Sequence, residues 1–203
     1  MEAFLTGVVA GYGIAIPVGA ISVLIVQVGI KCGFRCALSA GTGAATADLV
    51  YATLAVIGGA ALAQAIEGIG DPLRIASALV LIVIALVGLR GAGKPVEQTE
   101  FQYPNGRELA TTYARFLGLT IINPMTVVYF AAVVVGLGVA AEMTAAEGFA
   151  FITGAFLASF SWQAFIAAIG AVAGGRLTAR AQRIAIIAGN LLILVLAVFI
   201  LIP

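Results

Sequence analysis

Long apolar segments alternate with short polar ones along the whole chain of 203 residues. The apolar segments lie at about 3–27, 37–63, 73–89, 109–138, 148–172 and 182–202. A transmembrane helix needs about 20 mostly apolar residues, so each segment is long enough to cross a bilayer, the third being the shortest. Helices are expected because a lone lipid-facing strand cannot satisfy its backbone hydrogen bonds, and the sequence lacks the alternation of barrel strands. The pattern predicts an all-α integral membrane protein with six transmembrane helices.

The composition agrees with this class and excludes others. Hydrophobic residues make up 63% of the chain and charged residues 9%, and the mean hydropathy is +1.17. Soluble proteins carry about 25% charged residues, so a soluble enzyme, a disordered protein and a nucleic-acid binder are excluded. The chain has no histidine, which excludes imidazole ligation and histidine-based catalysis. The two cysteines are too few for a four-ligand zinc site, and we predict no metal site, no cofactor and no enzymatic activity.

Lysine and arginine are concentrated in alternate connections between the apolar segments. The second and fourth connections contain only Arg74, whereas the first, third and fifth contain Lys31, Arg35, Arg90, Lys94, Arg107, Arg115, Arg176, Arg180 and Arg183. By the positive-inside rule, the odd-numbered connections are cytoplasmic and both termini lie outside. The first segment is not expected to be a cleaved signal peptide, because it is too long and no basic region precedes it.

The two halves of the chain resemble each other in the same order. Pro17 corresponds to Pro124, at an offset of 107 residues. The run Gly43-Ala44-x-x-Ala47-Asp48-x-x-Tyr51 corresponds to Gly154-Ala155-x-x-Ala158-Ser159-x-x-Trp162, at an offset of 111. The run Arg74-Ile75-Ala76 corresponds to Arg183-Ile184-Ala185, at an offset of 109. Three spans per repeat make the second copy start on the opposite side of the membrane, as in many secondary transporters. We therefore predict an inverted-topology repeat, with repeat one at about 1–93, a cytoplasmic linker at about 94–108 and repeat two at about 109–203. Chance similarity between Ala- and Gly-rich helices is the alternative.

Each repeat has a proline near the centre of its first span. Proline lacks the backbone N–H and clashes with the carbonyl four residues earlier, so Pro17 and Pro124 are expected to break their helices and free the carbonyls of Gly13 and Thr120. A broken helix offers carbonyls to a cation and N–H groups to a carboxylate, so two opposed breaks suit a zwitterion. A simple proline kink is the alternative. The residues predicted to bind substrate at the breaks are Gly13, Pro17, Gly19, Thr120, Asn123 and Pro124.

Asp48 is the acidic residue that lies well inside a predicted span. A carboxylate at a helix centre costs about 2.5–3.5 kcal/mol on insertion scales and usually marks function. Its neighbours on the same helix face are almost all small, namely Gly41, Ala44, Ala45, Tyr51, Ala52 and Ala55, so the face is expected to pack against other helices. Asp48 is therefore a candidate proton carrier or cation partner, the alternative being a structural carboxylate. We add Ser159, Trp162, Gln163 and Asn190 as candidate substrate-binding residues, each of which could instead join helices.

Two regions resemble the LysE family, which comprises lysine exporters and RhtB-type amino-acid efflux proteins. The segment from Phe116 through Ile122-Asn123-Pro124 to Phe130 is similar to the family's Asn-Pro region, and Gly41–Tyr51 is similar to its Gly-rich second span with an acidic residue. The run Ile16-Pro17-Val18-Gly19 keeps only part of a Pro-Gly-Pro motif, and Met125 replaces a common Lys. The resemblance covers the whole chain.

This resemblance implies gradient-driven export of a small solute, commonly an amino acid, across the cytoplasmic membrane of a prokaryote. The implied partners are the solute, protons and the lipid bilayer, without nucleic acid, and the small-residue faces would allow a homodimer. Two other functions stay open. One is efflux of a divalent metal cation, and the other is a thiol–disulfide relay through Cys32 and Cys36. No G-x-x-x-x-G-K-[ST] phosphate loop is present, so ATP-driven transport by this chain has no support.

Overall fold

The computed structural model describes residues 1–16, 19–91, 104–123, 126, 130, 143–176 and 178–201. The helices bounded within these residues are α1 (Glu2–Ala15), α2 (Ala20–Cys32), α3 (Phe34–Gly91), α4 (Gly106–Ile121), α5 (Ala145–Arg176) and α6 (Ala179–Leu201). None of the described residues lies in a β-strand. The predicted all-α class is therefore confirmed.

The first predicted span is broken into α1 and α2. Helix α1 ends at Ala15 and α2 begins at Ala20, and the two helices form an angle of 77°. Gly19 caps α2 with an extended backbone, at φ −99° and ψ −177°. The break lies where the sequence predicts it, although Pro17 itself is outside the described residues.

The sequence pattern predicts a connection between the second and third spans at Glu67–Pro72, and this prediction is wrong because the backbone there is helical. Helix α3 runs without interruption from Phe34 to Gly91 and contains Pro72. Hydropathy reports how apolar a segment is and does not report whether its backbone is helical. Glu67–Pro72 interrupts the apolar pattern, yet most residues around it are good helix formers. A polar segment can therefore stay helical between two apolar ones.

Helix α4 begins and ends at recognisable signals. The Asn105 side chain accepts a hydrogen bond from the Glu108 backbone N–H at 2.9 Å, and the Glu108 carboxylate accepts one from the Asn105 backbone at 3.0 Å, which is a capping box. Helix α4 ends at Ile121, and the following turn includes a 3.2 Å bond from the Asn123 N–H to the Thr120 carbonyl. The expectation that the Thr120 carbonyl is free is therefore wrong, because the last turn tightens and satisfies it.

Two described segments are long and apolar enough to cross a membrane by themselves, Phe34–Gly58 and Ala145–Arg176, and α1 with α2 forms a third, bent candidate. Shorter apolar stretches occupy Ala78–Gly91 and Arg183–Val195. The six-span arrangement of the inverted repeat stays a prediction.

Helix α2 lies at the centre of the main core. Its buried side chains pack against small residues of α3 and against residues of α4, α5 and α6. Many of the packed positions are alanine, so the helix axes approach closely, as is typical of helix interfaces in membranes. Helix α1 packs mainly along α5, and α4 packs along α3. The packing places the first break and the end of α4 around the same part of the core.

Candidate functional site

Asp48 is buried between α3 and α5. Its side chain is 5% exposed, and the Ser159 hydroxyl donates a 2.5 Å hydrogen bond to Asp48 Oδ2. Ser159 is fully buried. The carboxyl group therefore points into the helix bundle, as the small-residue face of α3 predicts, and it contacts the residue with which Asp48 aligns in the predicted repeat.

Tyr51 lies one helical turn beyond Asp48 and connects α3 to the end of α4. Its hydroxyl donates a hydrogen bond to the Ile121 carbonyl, and its ring stacks on Phe130 with centroids 5.5 Å apart. The cluster around Tyr51 and Phe130 also contains residues of α1 and α5. The carboxyl of Asp48 thus lies on a helix face that is close to α1 and to the end of α4.

Three buried polar atoms near the same helices have no hydrogen-bond partner among the described residues. They are Thr120 Oγ1, Gln163 Oε1 and Trp162 Nε1. Gln163 packs beside Gly41 of α3, where an added Cβ would lie 2.9 Å from the Gln163 Cβ. A buried polar atom without a partner is costly, so such atoms commonly mark places where water or a ligand binds.

A narrow cleft joins the start of α2 to the end of α4. It is lined by Ala20 and Ile21 at the start of α2, by Val80 and Leu81 of α3, and by Leu119, Ile122 and Asn123 at the end of α4. Its free volume of about 10 Å³ has room for about one water molecule. The start of α2 and the end of α4 are therefore neighbours in space, and in this conformation the space between them is too small for an amino acid.

A wider cleft of about 550 Å³ lies on the other side of the first break. Its aromatic walls are Tyr12, Trp162 and Phe165, and Ile16 and Ser161 complete it. Ser161 donates to the Ala158 carbonyl at 2.8 Å, so the 2.9 Å bond between Tyr12 and Ser161 is donated by the Tyr12 hydroxyl. The cleft combines aromatic surface with hydroxyl groups next to the end of α1.

Two glycines that align in the sequences of the two halves, Gly43 and Gly154, make similar close contacts with a neighbouring helix. A Cβ added to Gly43 would clash with the carbonyl group of Tyr113, whose carbon would be 3.2 Å away. The same Cβ would lie 3.0 Å from the backbone nitrogen of Leu117. A Cβ on Gly154 would meet the Phe4 carbonyl, 3.2 Å from its carbon, and would lie 3.0 Å from the Val8 nitrogen. The contact of α3 with α4 therefore matches the contact of α5 with α1 at these two glycines.

The structure brings only some of the predicted site residues together. Asp48 and Ser159 are in contact, whereas Asn190 lies against Gly88 and bonds to the Ile186 carbonyl at 2.8 Å. Gly13 is exposed, with open space around the position of a Cβ. Pro17 and Pro124 lie outside the described residues.

Two functional contacts were not predicted from the sequence. The bond from Tyr51 to the Ile121 carbonyl and the bond between Tyr12 and Ser161 both join residues far apart in the chain. The alignment of Tyr51 with Trp162 was the available signal, because it marked an aromatic residue one turn beyond each central polar position.

Cys32 and Cys36 form a disulfide at the junction of α2 and α3. Their Cα atoms are 5.8 Å apart, and Gly33 between them has φ 82°, a conformation that favours glycine. The pair lines an open cleft with residues of the first turns of α4, including Arg107 and Arg115. It does not contribute to the contacts of Asp48.

Comparisons with known proteins identify the family. The family model of the LysE type translocator matches residues 13–203. The chemotactic transduction protein ChpE of Pseudomonas aeruginosa is 29% identical over 161 residues, which cover 78% of this chain and 77% of that protein. No solved structure matches the chain. The chain therefore belongs to the LysE family of translocators, which are integral membrane transporters and not enzymes.

Proposed function

We propose that this chain is a secondary, proton-coupled exporter of amino acids or similar small solutes across the cytoplasmic membrane. The observation that carries the proposal is the buried hydrogen bond between Asp48 and Ser159, on helices that contact both broken spans. A carboxyl group is expensive inside a membrane and is retained there when it moves ions or protons.

The inverted repeat is part of this proposal, and the packing of the glycines supports it. Gly43 contacts Tyr113 and Leu117 in the manner in which Gly154 contacts Phe4 and Val8. Phe4 and Tyr113 are 109 positions apart, as are Val8 and Leu117, and the two glycines are 111 apart. The glycine offset is that of the second and fifth spans in the sequence repeat, and the offset of 109 differs by two residues from the 107 that separates Pro17 and Pro124 in the first and fourth spans. Similar contacts in the same order are what a duplicated three-helix unit with small insertions would produce.

The same symmetry supports a central position for Asp48. Inverted repeats are related by a two-fold axis in the plane of the membrane. Two equivalent residues touch each other only if both lie next to that axis. Asp48 and Ser159 are equivalent in the repeat and are hydrogen-bonded, so the proposal puts them at the middle of the bilayer.

The narrow space between the breaks fits a closed conformation of such a transporter. A cleft with room for about one water molecule cannot hold an amino acid. Solute binding would then require the start of α2 and the end of α4 to separate, with Gly19 and Ile122 as pivots. The driving force available is about 2.3 kcal/mol per elementary charge for each 100 mV of membrane potential.

The two alternative functions receive less support. No group of three or more His, Cys, Asp or Glu side chains lies together within the described parts of the chain, so divalent cation efflux would rest on Asp48 as a single carboxylate. A thiol–disulfide relay needs a second redox pair, and Cys32 and Cys36 are the only cysteines of the chain.

The experiment is transport by purified protein in proteoliposomes, with a panel of radiolabelled amino acids. We expect Asp48→Asn to abolish export driven by a pH gradient while retaining exchange of solute for solute, because exchange needs no net proton movement. The control is Glu147→Gln, since Glu147 is exposed at the start of α5 and its main contact is with Thr144. Undiminished pH-driven export by Asp48→Asn would eliminate the proton-carrier role. Absence of transport of every amino acid by the unaltered protein would eliminate the proposed substrate class.

A further inference from the structure

The open cleft beside Cys32 and Cys36 differs from the clefts near the first break because charged side chains line it. One wall is the junction of α2 and α3, and the other is the first turns of α4, from Arg107 to Arg115. At 1.5 Å per residue, this stretch of α4 rises about 12 Å. The cleft has a volume of about 480 Å³. This volume lies within the range of about 300–1,000 Å³ that is usual for sites of small organic groups.

Two guanidinium groups line this cleft without a partner. Arg107 and Arg115 are eight residues apart on α4, so they lie on the same side of the helix, with Thr111 between them. Both side chains are exposed, and neither forms an ion pair or a side-chain hydrogen bond within the described part of the chain. An arginine presents its donors in a planar fork that matches the oxygens of a phosphate or a carboxylate.

The other polar side chains of the α4 wall already use their main hydrogen bonds inside the helix. The Glu108 carboxylate accepts the Asn105 backbone N–H at 3.0 Å in the capping box. The hydroxyls of Thr111 and Thr112 donate to the carbonyls of Arg107 and Glu108, both at 2.8 Å. The threonines therefore have no hydrogen left to donate to a ligand. Of the side chains on this wall, the two arginines are the donors that stay available.

The cleft lies where the surface changes from polar to apolar. Helix α4 is rich in polar and charged residues in its first turns and mostly apolar from Phe116 onward. In the opposite wall, the apolar α2 ends at Cys32, and Phe34 is 44% exposed at the start of α3. Lys31 and Arg35 are exposed in the same junction and add positive charge to it. In a bilayer the phosphate groups of the lipids lie at such a boundary, and anionic lipids attract nearby basic residues.

We propose that this cleft binds the headgroup of an anionic phospholipid, whose phosphate is held by Arg107 and Arg115. Two arginines and one glutamate line the cleft, so an anion is favoured over a cation. A lipid is favoured over a free anion because exposed apolar surface, including Phe34, adjoins the charged groups. The bound headgroup would connect the start of α4 to the junction of α2 and α3, on the side of the membrane that the lysine and arginine distribution predicts to be cytoplasmic.

The first test titrates lipid onto the purified full-length protein in detergent and counts bound lipid by native mass spectrometry. The probes are phosphatidylglycerol, which is anionic, and phosphatidylcholine, whose phosphate is neutralised by its own choline. We expect tighter binding of phosphatidylglycerol. Arg107→Gln and Arg115→Gln should each weaken this binding about fivefold, and together by more than about tenfold. The matched control is the double substitution Arg176→Gln with Arg180→Gln, which removes the same charge from exposed positions elsewhere and should leave the affinity unchanged.

The second test locates the lipid with a native side chain of the cleft. Cys32 is exposed and lines the cleft, so Cys36→Ser leaves a single thiol there. The uncharged reagent N-ethylmaleimide alkylates this thiol, and intact-protein mass gives the rate. Phosphatidylglycerol is expected to slow the reaction and phosphatidylcholine is not. In a chain with Cys32→Ser and Cys36→Ser, the control Arg180→Cys places the thiol on another connection, where neither lipid should change the rate.

Three results would overturn the proposal. The first is equal binding of the two lipids, and the second is equal weakening by the Arg107 and Arg115 variants and by the Arg176 and Arg180 control, which would show general attraction to positive charge. The third is a Cys32 rate that phosphatidylglycerol does not slow. Inorganic phosphate is added as a competitor and is not expected to displace the lipid; displacement would make the ligand a soluble phosphate and would overturn the lipid assignment. None of these measurements depends on transport, so their failure is separate from a failure of the proposed export function.

Discussion

Adding one methyl group at either Gly43 or Gly154, which make similar contacts, should separate a pair of helices. In Gly43→Ala and in Gly154→Ala the new Cβ would meet a backbone carbonyl and lie 3.0 Å from a backbone nitrogen of the neighbouring helix. Neither contact atom belongs to a flexible side chain. Ordinary contacts of a Cβ start at 3.4 Å, so each crossing must widen by at least 0.4 Å at the nitrogen and by more at the carbonyl oxygen.

Overpacking of this kind costs about 1–3 kcal/mol. Because the two added Cβ atoms would meet matching backbone atoms at matching distances, we expect both substitutions to lower the free energy of unfolding by similar amounts within this range. The measurement is SDS-induced unfolding in mixed micelles, followed by circular dichroism. The control is Gly118→Ala on α4, where nothing lies within 4 Å of the added Cβ, so the change should be neutral or stabilising by up to about 1 kcal/mol.

Two results would refute this reasoning in different ways. If Gly43→Ala and Gly154→Ala are as stable as Gly118→Ala, the helices do not cross as closely as described. If one substitution is costly and the other is not, the crossings are not equivalent, and the main structural support for the repeat is lost.

Three further predictions concern single contacts. Ser159→Ala should lower the free energy of unfolding by about 1–3 kcal/mol, because it removes the hydrogen-bond donor to the buried Asp48 carboxyl. A double-mutant cycle with Asp48→Asn should give a coupling energy above about 0.5 kcal/mol, and additive effects of the two substitutions would contradict the contact. Asn105→Ala should cost about 1 kcal/mol by SDS unfolding, since it removes the cap of α4, and an unchanged stability would show that the cap contributes nothing. The double substitution Cys32→Ser with Cys36→Ser should retain transport in proteoliposomes, whereas loss of transport in a folded variant would revive the relay hypothesis.

The parts of the fold that were predictable from the sequence depend on local chemistry. Pro17 predicts the break between α1 and α2, since proline removes a backbone donor and clashes with the preceding turn. The burial of Asp48 follows from the spacing of small residues on one helix face, which needs no knowledge of the partner helix. The partner itself, Ser159, was marked as its equivalent position, but nothing in the sequence indicates that two equivalent positions touch.

Other features depend on contacts or on competition between backbone states. The continuity of α3 through Pro72 was missed because an interruption in hydropathy resembles a loop. The Thr120 carbonyl was expected to be free because Pro124, four residues later, has no backbone N–H to donate to it. That reasoning did not consider the tighter turn at the end of α4, in which the Asn123 N–H donates to the Thr120 carbonyl. The separation of Asn190 from Asp48 depends on its packing against Gly88, a contact between distant parts of the chain.

The hydroxyl of Ser159 has a chemical property that bears on how such a protein would cycle. A hydroxyl group carries one donor and two acceptor lone pairs, so it can bond to a carboxylate by donating and to a carboxylic acid by accepting. Loading Asp48 with a proton would therefore reverse the polarity of the bond without breaking it, and the freed serine hydrogen could turn to a carbonyl one turn earlier in α5. Helices α3 and α5 would therefore stay hydrogen-bonded to each other whether Asp48 is charged or neutral. Any conformational change during the transport cycle would then occur in the neighbouring helices, at the break between α1 and α2 and at the end of α4.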